Sequence, residues 1–300
     1  MIQIVELESA PLVERQHVRE GVFRSRRILN GTPGTPGNFA LQLGVTPSYY
    51  SPRHRHNFDQ VRYQLEGDFD FASDGVMKEG WLGYFPEGTH YGPQSSDSEN
   101  STLVLQFGGA SRSGYIAADE YEKAAVELAK HGAFAKGVYT RLKPDGAKIN
   151  KDAYEAVWEQ VNGRPLVYPP ERYLRPVFID PSSFDWTPLA NHPGVSSKHL
   201  GEFSERRTQI AMYQVQPGAT LPLSDNSIYF AIRGSGSVCA SSAVRAASVA
   251  GQGTSGSATS PARPFGTHAS IHLESGDQAT ATASPSGPVE FLHIGLPRFS

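Results

Sequence analysis

The sequence predicts a mostly β protein: two jelly-roll β-barrels joined by a partly helical connector. Three observations carry that reading. Between residues 38 and 107 short apolar runs alternate with clusters of Gly, Pro, Asn and Asp, the punctuation of closely spaced strands. From Ala118 to Val161 the texture becomes helical. Beyond residue 200 the strand texture returns in what reads as a second copy of the first unit. The expected domains are therefore 1–115, a first barrel; 116–190, a helical and Pro-rich connector; and 191–300, a second barrel. A Ser/Ala/Gly-rich insertion is expected at about 239–270.

Taken in order, Asn30–Gly37 is a Gly/Pro-rich loop, and Asn38–Gly44 follows it as a strand. Gln60 to Leu65 alternates polar and apolar residues, which places Gln60, Arg62 and Gln64 on one face and Val61, Tyr63 and Leu65 on the other. Gly67 permits a tight turn, with Asp68–Phe71 expected as the hairpin partner. Trp81–Phe85 and Ser101–Phe107 complete the strand series. The run Ala118–His131 is rich in helix formers, acidic at its start, basic at its end, and stopped by Gly132. A second helix is expected over Asp152–Val161, with Asn150 as a cap and Gly163 as terminator. Leu166–Pro188, dense in prolines and aromatics, reads as irregular packing.

In the second copy, Arg207–Val215 parallels the strand ending at Gly44, Ser227–Gly234 parallels Gln60–Gly67, and Phe291–Gly295 parallels Val104–Gly108. Cys239–Ser270 is too poor in large apolar side chains to build a core and reads as a mobile insertion or a lid.

The chemistry concentrates at His54-Arg55-His56. Two imidazoles one residue apart on extended chain point the same way, and such a pair suits Fe, Zn, Cu or Ni. An isolated His-x-His is as easily an exposed strand face; here its neighbours matter. Gln60 is a candidate third ligand through its amide oxygen, or a group that orients an imidazole. Arg62 suits a carboxylate or enolate, and Gln64 shares its face; an internal ion pair or the barrel mouth is the plainer alternative. Tyr91 is expected to face inward as ligand, proton donor or packing, with His90 outward; a one-residue slip would reverse them. His131 reads as a helix-dipole partner, and His192, His199, His268 and His272 as surface or structural.

The segment from His54 to Gly67 resembles the first signature of the cupin family, Gly-x5-His-x-His-x3,4-Glu-x6-Gly, with Gln60 at the carboxylate position and no leading glycine. Gly80, Pro86 and Gly88 meet the second signature, Gly-x5-Pro-x-Gly-x2-His-x3-Asn, where Tyr91 and Ser95 replace the histidine and asparagine. The resemblance implies a two-domain cupin with one divalent metal in the first barrel, iron first and Zn, Mn, Ni or Cu as alternatives. His54, His56, Gln60 and Tyr91 would be its ligands, and Tyr91, Arg62 and Gln64 the catalytic residues. In the second copy the ligand positions become Leu221 and Leu223, so that barrel is expected to be degenerate and structural.

Composition excludes several classes. The formal charge of −3 comes from 27 basic and 30 acidic residues without a run of one sign, so neither nucleic acid nor a membrane surface is expected as a partner. No apolar run approaches the roughly 20 residues of a membrane helix. The start carries no basic leader ahead of an apolar core, and a single cysteine, Cys239, suits a reducing compartment; a cytoplasmic protein is expected. Gly251–Gly256 matches a dinucleotide fingerprint by letter alone, with no helix pattern after it, and no Gly-x-Ser-x-Gly elbow is present. The expected function is a metal-dependent small-molecule enzyme, foremost a dioxygenase acting on an aromatic or enol-like substrate. The alternatives are a non-oxidative isomerase, cyclase or dehydratase using His/Tyr acid–base chemistry, and a non-enzymatic small-ligand binder. Homodimerisation is a family-level expectation.

Overall fold

The chain separates into two compact units, residues 11–181 and residues 1–10 together with 182–300. The structure is a computed structural model describing residues 2–16, 22–35, 37–47, 49–111, 115–203, 207–240 and 261–298.

In the first unit a seven-stranded antiparallel sheet runs in the spatial order Val177–Ile179, Leu82–Phe85, Phe58–Glu66, Asn100–Gly108, Phe39–Thr46, Val22–Asn30 and Leu12–Gln16. A four-stranded sheet runs Tyr49–Ser51, Gln94–Ser96, Phe69–Asp70 and Val76–Met77. Phe58–Glu66 is central because it is buried on both faces, Val61 and Tyr63 on one and Gln60 and Gln64 on the other. Its expected hairpin with Asp68–Phe71 does not form. Gly67, at φ +69°, turns the chain out of the large sheet, and Phe69–Asp70 pairs with Val76–Met77 and Ser95 in the small one. Strand 58–66 pairs instead with 82–85 and 100–108.

The helices are Ala118–Ala129 and Ala153–Asn162. Asp152, not Asn150, caps the second: its carboxylate accepts from the Tyr154 and Glu155 amides, and left-handed Gly163 ends the helix at φ 63°. This helix buries Tyr154, Val157 and Trp158 in a cluster that includes Phe58 of the central strand. Most of the segment read as a connector is thus structure of the first unit, down to the edge strand Val177–Ile179.

The second unit repeats the plan. Its seven-stranded sheet runs Gln3–Val5, Ser270–Leu273, Ser227–Arg233, Val289–Gly295, Thr208–Val215, Val195–Phe203 and Thr187–Pro188. Its four-stranded sheet runs Thr220–Leu223, Ala279–Ala283, Gly236–Ala240 and Arg263–Phe265. The repeat holds strand by strand, with one correction of register. Gln60 faces Gln106 and Ser227 faces Gly295, so with Gln60 and Ser227 equivalent, Gly295 corresponds to Gln106 rather than to Gly108. A slip of two leaves every side chain on its face. Leu221, Leu223, Tyr229, Ala231 and Phe291 fill the interior. Of the expected insertion, 241–260 and with it Gly251–Gly256 lie outside the described residues, whereas Cys239 and Arg263–Phe265 belong to strands.

Candidate active site

Between the two sheets of the first unit lies a cavity of about 150 Å³, with His54, His56, Gln60, Arg62 and Tyr91 in its wall. At roughly 30 Å³ of liquid per water, that is room for about five waters, or a compact small molecule. His54 and His56 precede the strand rather than lie on it. His54 forms a two-bond antiparallel bridge with Tyr91, its N–H to the Tyr91 carbonyl at 3.1 Å and the return bond at 2.9 Å. Gly88 N–H donates to the His56 carbonyl at 2.7 Å. The histidine segment and the Gly80–Tyr91 turn, distant in sequence, are therefore tied backbone to backbone. His56 stacks on Phe58, centroids 4.5 Å apart, and meets Tyr154 edge-on.

The hydrogen bonds define the proton positions. His54 Nδ1 lies 2.6 Å from the Pro52 carbonyl, an acceptor only, so Nδ1 carries the hydrogen of the neutral ring and Nε2 presents a lone pair. That lone pair is 3.1 Å from the Tyr91 hydroxyl. Arg62 donates from Nε and Nη2 to Gln60 Oε1 at 2.9 and 2.7 Å, which fixes the amide with its nitrogen toward His56 Nδ1, 2.9 Å away. His56 Nδ1 thus accepts as well, and it too is 3.1 Å from the Tyr91 hydroxyl. Arg62 Nη2 donates to the same oxygen at 3.0 Å. One phenol oxygen therefore receives a guanidinium hydrogen bond and faces two imidazole lone pairs.

Arg62 also donates to Gln94 Oε1 at 3.0 Å and lies over the Phe85 ring at 4.2 Å. All these partners are neutral, and no Asp or Glu among the described residues lines the cavity. The pocket is accordingly a site for negative charge. Three of its side-chain amides share that polarity: the oxygens of Gln60, Gln94 and Gln106 accept from Arg62, Arg62 and Tyr115, leaving N–H groups as the donors.

Of the expected site residues, His54, His56, Gln60, Arg62 and Tyr91 come together. Gln64 does not: its amide accepts from Thr102 Oγ1 at 2.8 Å and donates to the Glu66 carbonyl at 3.0 Å, beyond the cavity wall. Tyr91 is buried and faces inward, while His90 pairs with Glu171 on the surface. Among the described residues no three His, Cys, Asp or Glu side chains gather to hold a metal ion. Two adjacent imidazoles fit a metal. The remaining donors complete the set poorly, since Gln60 turns its oxygen to Arg62 and the guanidinium adds positive charge where a carboxylate would offset the ion.

Sequence reasoning missed a second polar cluster on the opposite face of the strand. Asp59 accepts from Glu87 N–H at 2.8 Å, Tyr84 hydroxyl at 3.0 Å and Arg172 Nη2 at 3.3 Å. Burial pushes the Asp59 carboxyl up to about 6, against the lowering effect of the Glu87 amide and Arg172. The Tyr84 phenol is also pushed up, by burial first and then by the Asp59 charge. Strand alternation alone could have shown that Asp59 points away from Gln60; nothing local announces Arg172.

The fold is that of two-domain cupin proteins. A candidate dioxygenase from Nostoc punctiforme superposes with TM-score 0.56 at 9% identity, covering 99% of this chain and 83% of that one. Oxalate decarboxylase from Lactobacillus farciminis, in its formate complex, gives 0.54 at 11% identity, covering 99% and 87%. A mutant of Bacillus subtilis oxalate decarboxylase gives 0.55 at 12%, covering 99% and 78%. No family model matches the sequence, and no curated protein does. No helix among the described residues is long and apolar enough to cross a membrane.

Proposed function

We propose that the first barrel is the active site of a small-molecule enzyme that moves a proton on a small anionic, enol-forming substrate. One observation carries the reading: the Tyr91 hydroxyl lies within 3.1 Å of His54 Nε2, His56 Nδ1 and Arg62 Nη2, in a cavity that no Asp or Glu lines among the described residues. Arg62 holds the carboxylate or enolate oxygen by charge-assisted hydrogen bonds. Tyr91 gives or takes the proton, and the imidazole lone pairs store it; a positioned acid–base group contributes about 10²–10⁴-fold. The guanidinium bond to the phenol oxygen favours the negative charge that appears there during transfer. Gln60 orients both Arg62 and His56. The similarity in fold to a candidate dioxygenase and to oxalate decarboxylases supports an enzyme without choosing a reaction.

A second reading, dioxygenase chemistry at a divalent ion, is favoured by the His54 tautomer, which leaves Nε2 free of its hydrogen as ligation requires. His54 and His56 would hold the ion, with Tyr91 and a turned Gln60 beside them. When bound, it would polarise an enolate and, as iron, admit O2.

The test is deuterium exchange in D2O, followed by NMR, over a panel of small enolisable carboxylates, with metal analysis and oxygen uptake on untagged protein. Exchange by metal-free protein supports the acid–base reading. Oxygen uptake that follows iron content replaces it with the second. Carboxylate binding without turnover of any kind reduces the pocket to a binding site.

A further inference from the structure

Residues 168–173 form a strap with contacts to both segments that carry the site. The Arg55 guanidinium lies over the Tyr168 ring at 4.0 Å. The Pro169 carbonyl comes so close to Gly88 that a β-carbon there would stand 2.7 Å from it. Glu171 pairs with His90 at 2.8 Å, and the Tyr173 carbonyl accepts from Thr89 Oγ1 at 3.0 Å. At its centre Arg172 reaches inward. Nη1 binds Glu87 Oε1 at 2.9 Å and Nη2 binds Asp59 Oδ1 at 3.3 Å.

Asp59 directly precedes Gln60 on the strand that carries Arg62, and Glu87 stands in the turn that delivers Tyr91. Both acid side chains are 1% exposed, against 22% for Arg172. Glu87 also accepts from Ser111 through its backbone N–H at 2.8 Å and its hydroxyl at 2.5 Å. One guanidinium therefore bridges the strand bearing Arg62 and the turn bearing Tyr91 from behind the pocket. Lysine, a point charge, cannot span two carboxylates with the fixed geometry of that fork.

We propose that Arg172 is a positioning residue for this pocket, setting the distance between the Tyr91 turn and the Gln60–Arg62 strand through its bridge to Glu87 and Asp59. The proposal rests on reading the pocket as the active site. Arg172 is not among the residues that line the cavity. Its removal releases the turn while leaving Arg62 in place, so turnover suffers and carboxylate affinity does not. Misplacement by about 1 Å can cost about 100-fold in rate.

The experiment compares wild type, Arg172→Met and Arg172→Lys in the full chain, by amide hydrogen exchange and by the substrate-proton exchange assay. We expect Arg172→Met to lose protection at residues 54–59 and 86–92 and keep it in strands 39–46 and 100–108. Its kcat should fall about 100-fold with KM within about threefold, and Arg172→Lys should lie between. Uniform loss of protection across 11–181 in both variants would make Arg172 merely structural and overturn the proposal, as would wild-type exchange and rates in Arg172→Met. If Arg172→Met does not fold, Arg172→Lys decides by the same pattern. Should wild type exchange no substrate proton at all, the reading of the pocket falls, and amide exchange still decides whether Arg172 holds the turn.

Discussion

The two units share a strand order and differ in what they place between their sheets. Gln60 and Arg62 line a cavity in the first, while their equivalents in the second, Ser227 and Tyr229, are buried, with Ala231, Leu221, Leu223 and Phe291 in one apolar cluster with Tyr229. The sheets themselves do not require a polar interior, since the second unit builds the same seven and four strands around aliphatic and aromatic side chains. The cavity of the first is therefore a departure from the packing that stabilises the second, and its buried amides, imidazoles and guanidinium persist because each is hydrogen-bonded. A buried polar constellation that departs from the packing of its sister unit is where function is expected.

The sharpest way to break that comparison is to remove the phenol oxygen on which the polar groups converge. Tyr91→Phe should lower substrate-proton exchange by about 10²–10⁴-fold with little change in the unfolding midpoint, because the ring still packs against Phe71 and Phe85. Parallel thermal melts and exchange rates check it; an active Tyr91→Phe protein would end the acid–base assignment.

The reciprocal change belongs in the second unit. Leu221→His puts an imidazole where the first unit has one, into a cluster built from Val, Leu, Ile, Ala, Phe and Tyr side chains. Lost apolar burial and an unmet polar group should together cost about 3 kcal/mol or more, read by urea denaturation. A cost below about 1 kcal/mol would mean that the second interior tolerates polarity, and the contrast would lose its physical basis.

His293 sharpens the comparison further, being an imidazole the second unit already buries. It is 3% exposed, neither ring nitrogen has a hydrogen-bond partner among the described residues, and it packs against Tyr229 at 4.6 Å. Burial pushes its pKa down from 6.5 to about 4. A depressed folded pKa means that stability is fully present above 6.5 and is lost as pH falls toward 4. Two to three pKa units correspond to about 3 kcal/mol. Wild type should therefore lose roughly that much stability across the window, and His293→Leu should be flatter there. Denaturant titrations at pH 7, 5.5 and 4.5 measure it. An unchanged slope in the variant would show that this imidazole is not buried neutral.

Much of this was legible in the residues. The strand rhythm, the internal repeat and the helices follow from alternation and turn chemistry, and the approach of Tyr91 to His54, His56 and Gln60 from the resemblance to the two cupin signatures. What was not legible depends on long-range pairing. Alternation puts Gln64 on the same face as Arg62, yet says nothing of where the cavity ends, which Thr102 decides by taking the Gln64 amide. The orientation of the Gln60 amide depends on Arg62 folding back on it. Asn150 and Asp152 are equally good caps in isolation; the strand Lys148–Asp152 runs on through Asn150 and ends at Asp152, which therefore stands directly before the first helical turn. Arg172 meets Asp59 across 113 residues, and no local pattern encodes that.

The smallest expected effect tests whether burial, rather than pairing as such, distinguishes Arg172. Arg298 of the second unit also binds a carboxylate, Asp225, at 2.8 Å, but its side chain is 73% exposed. Water already solvates that guanidinium, salt screens it, and holding it in place costs side-chain entropy, so such pairs contribute about 0.2–1 kcal/mol. Asp225 keeps a bond from the Gly276 N–H when the arginine is gone, so no carboxylate is stranded. Arg298→Ala should therefore shift the melting midpoint by less than about 3 °C, with the difference shrinking in 0.5 M salt (about 5 Å of screening length by interpolation). Arg172→Met, by contrast, leaves two buried acids without their shared cation. Equal effects from the two substitutions would mean that desolvation does not set the value of these pairs, and the case for Arg172 would then rest on amide exchange alone.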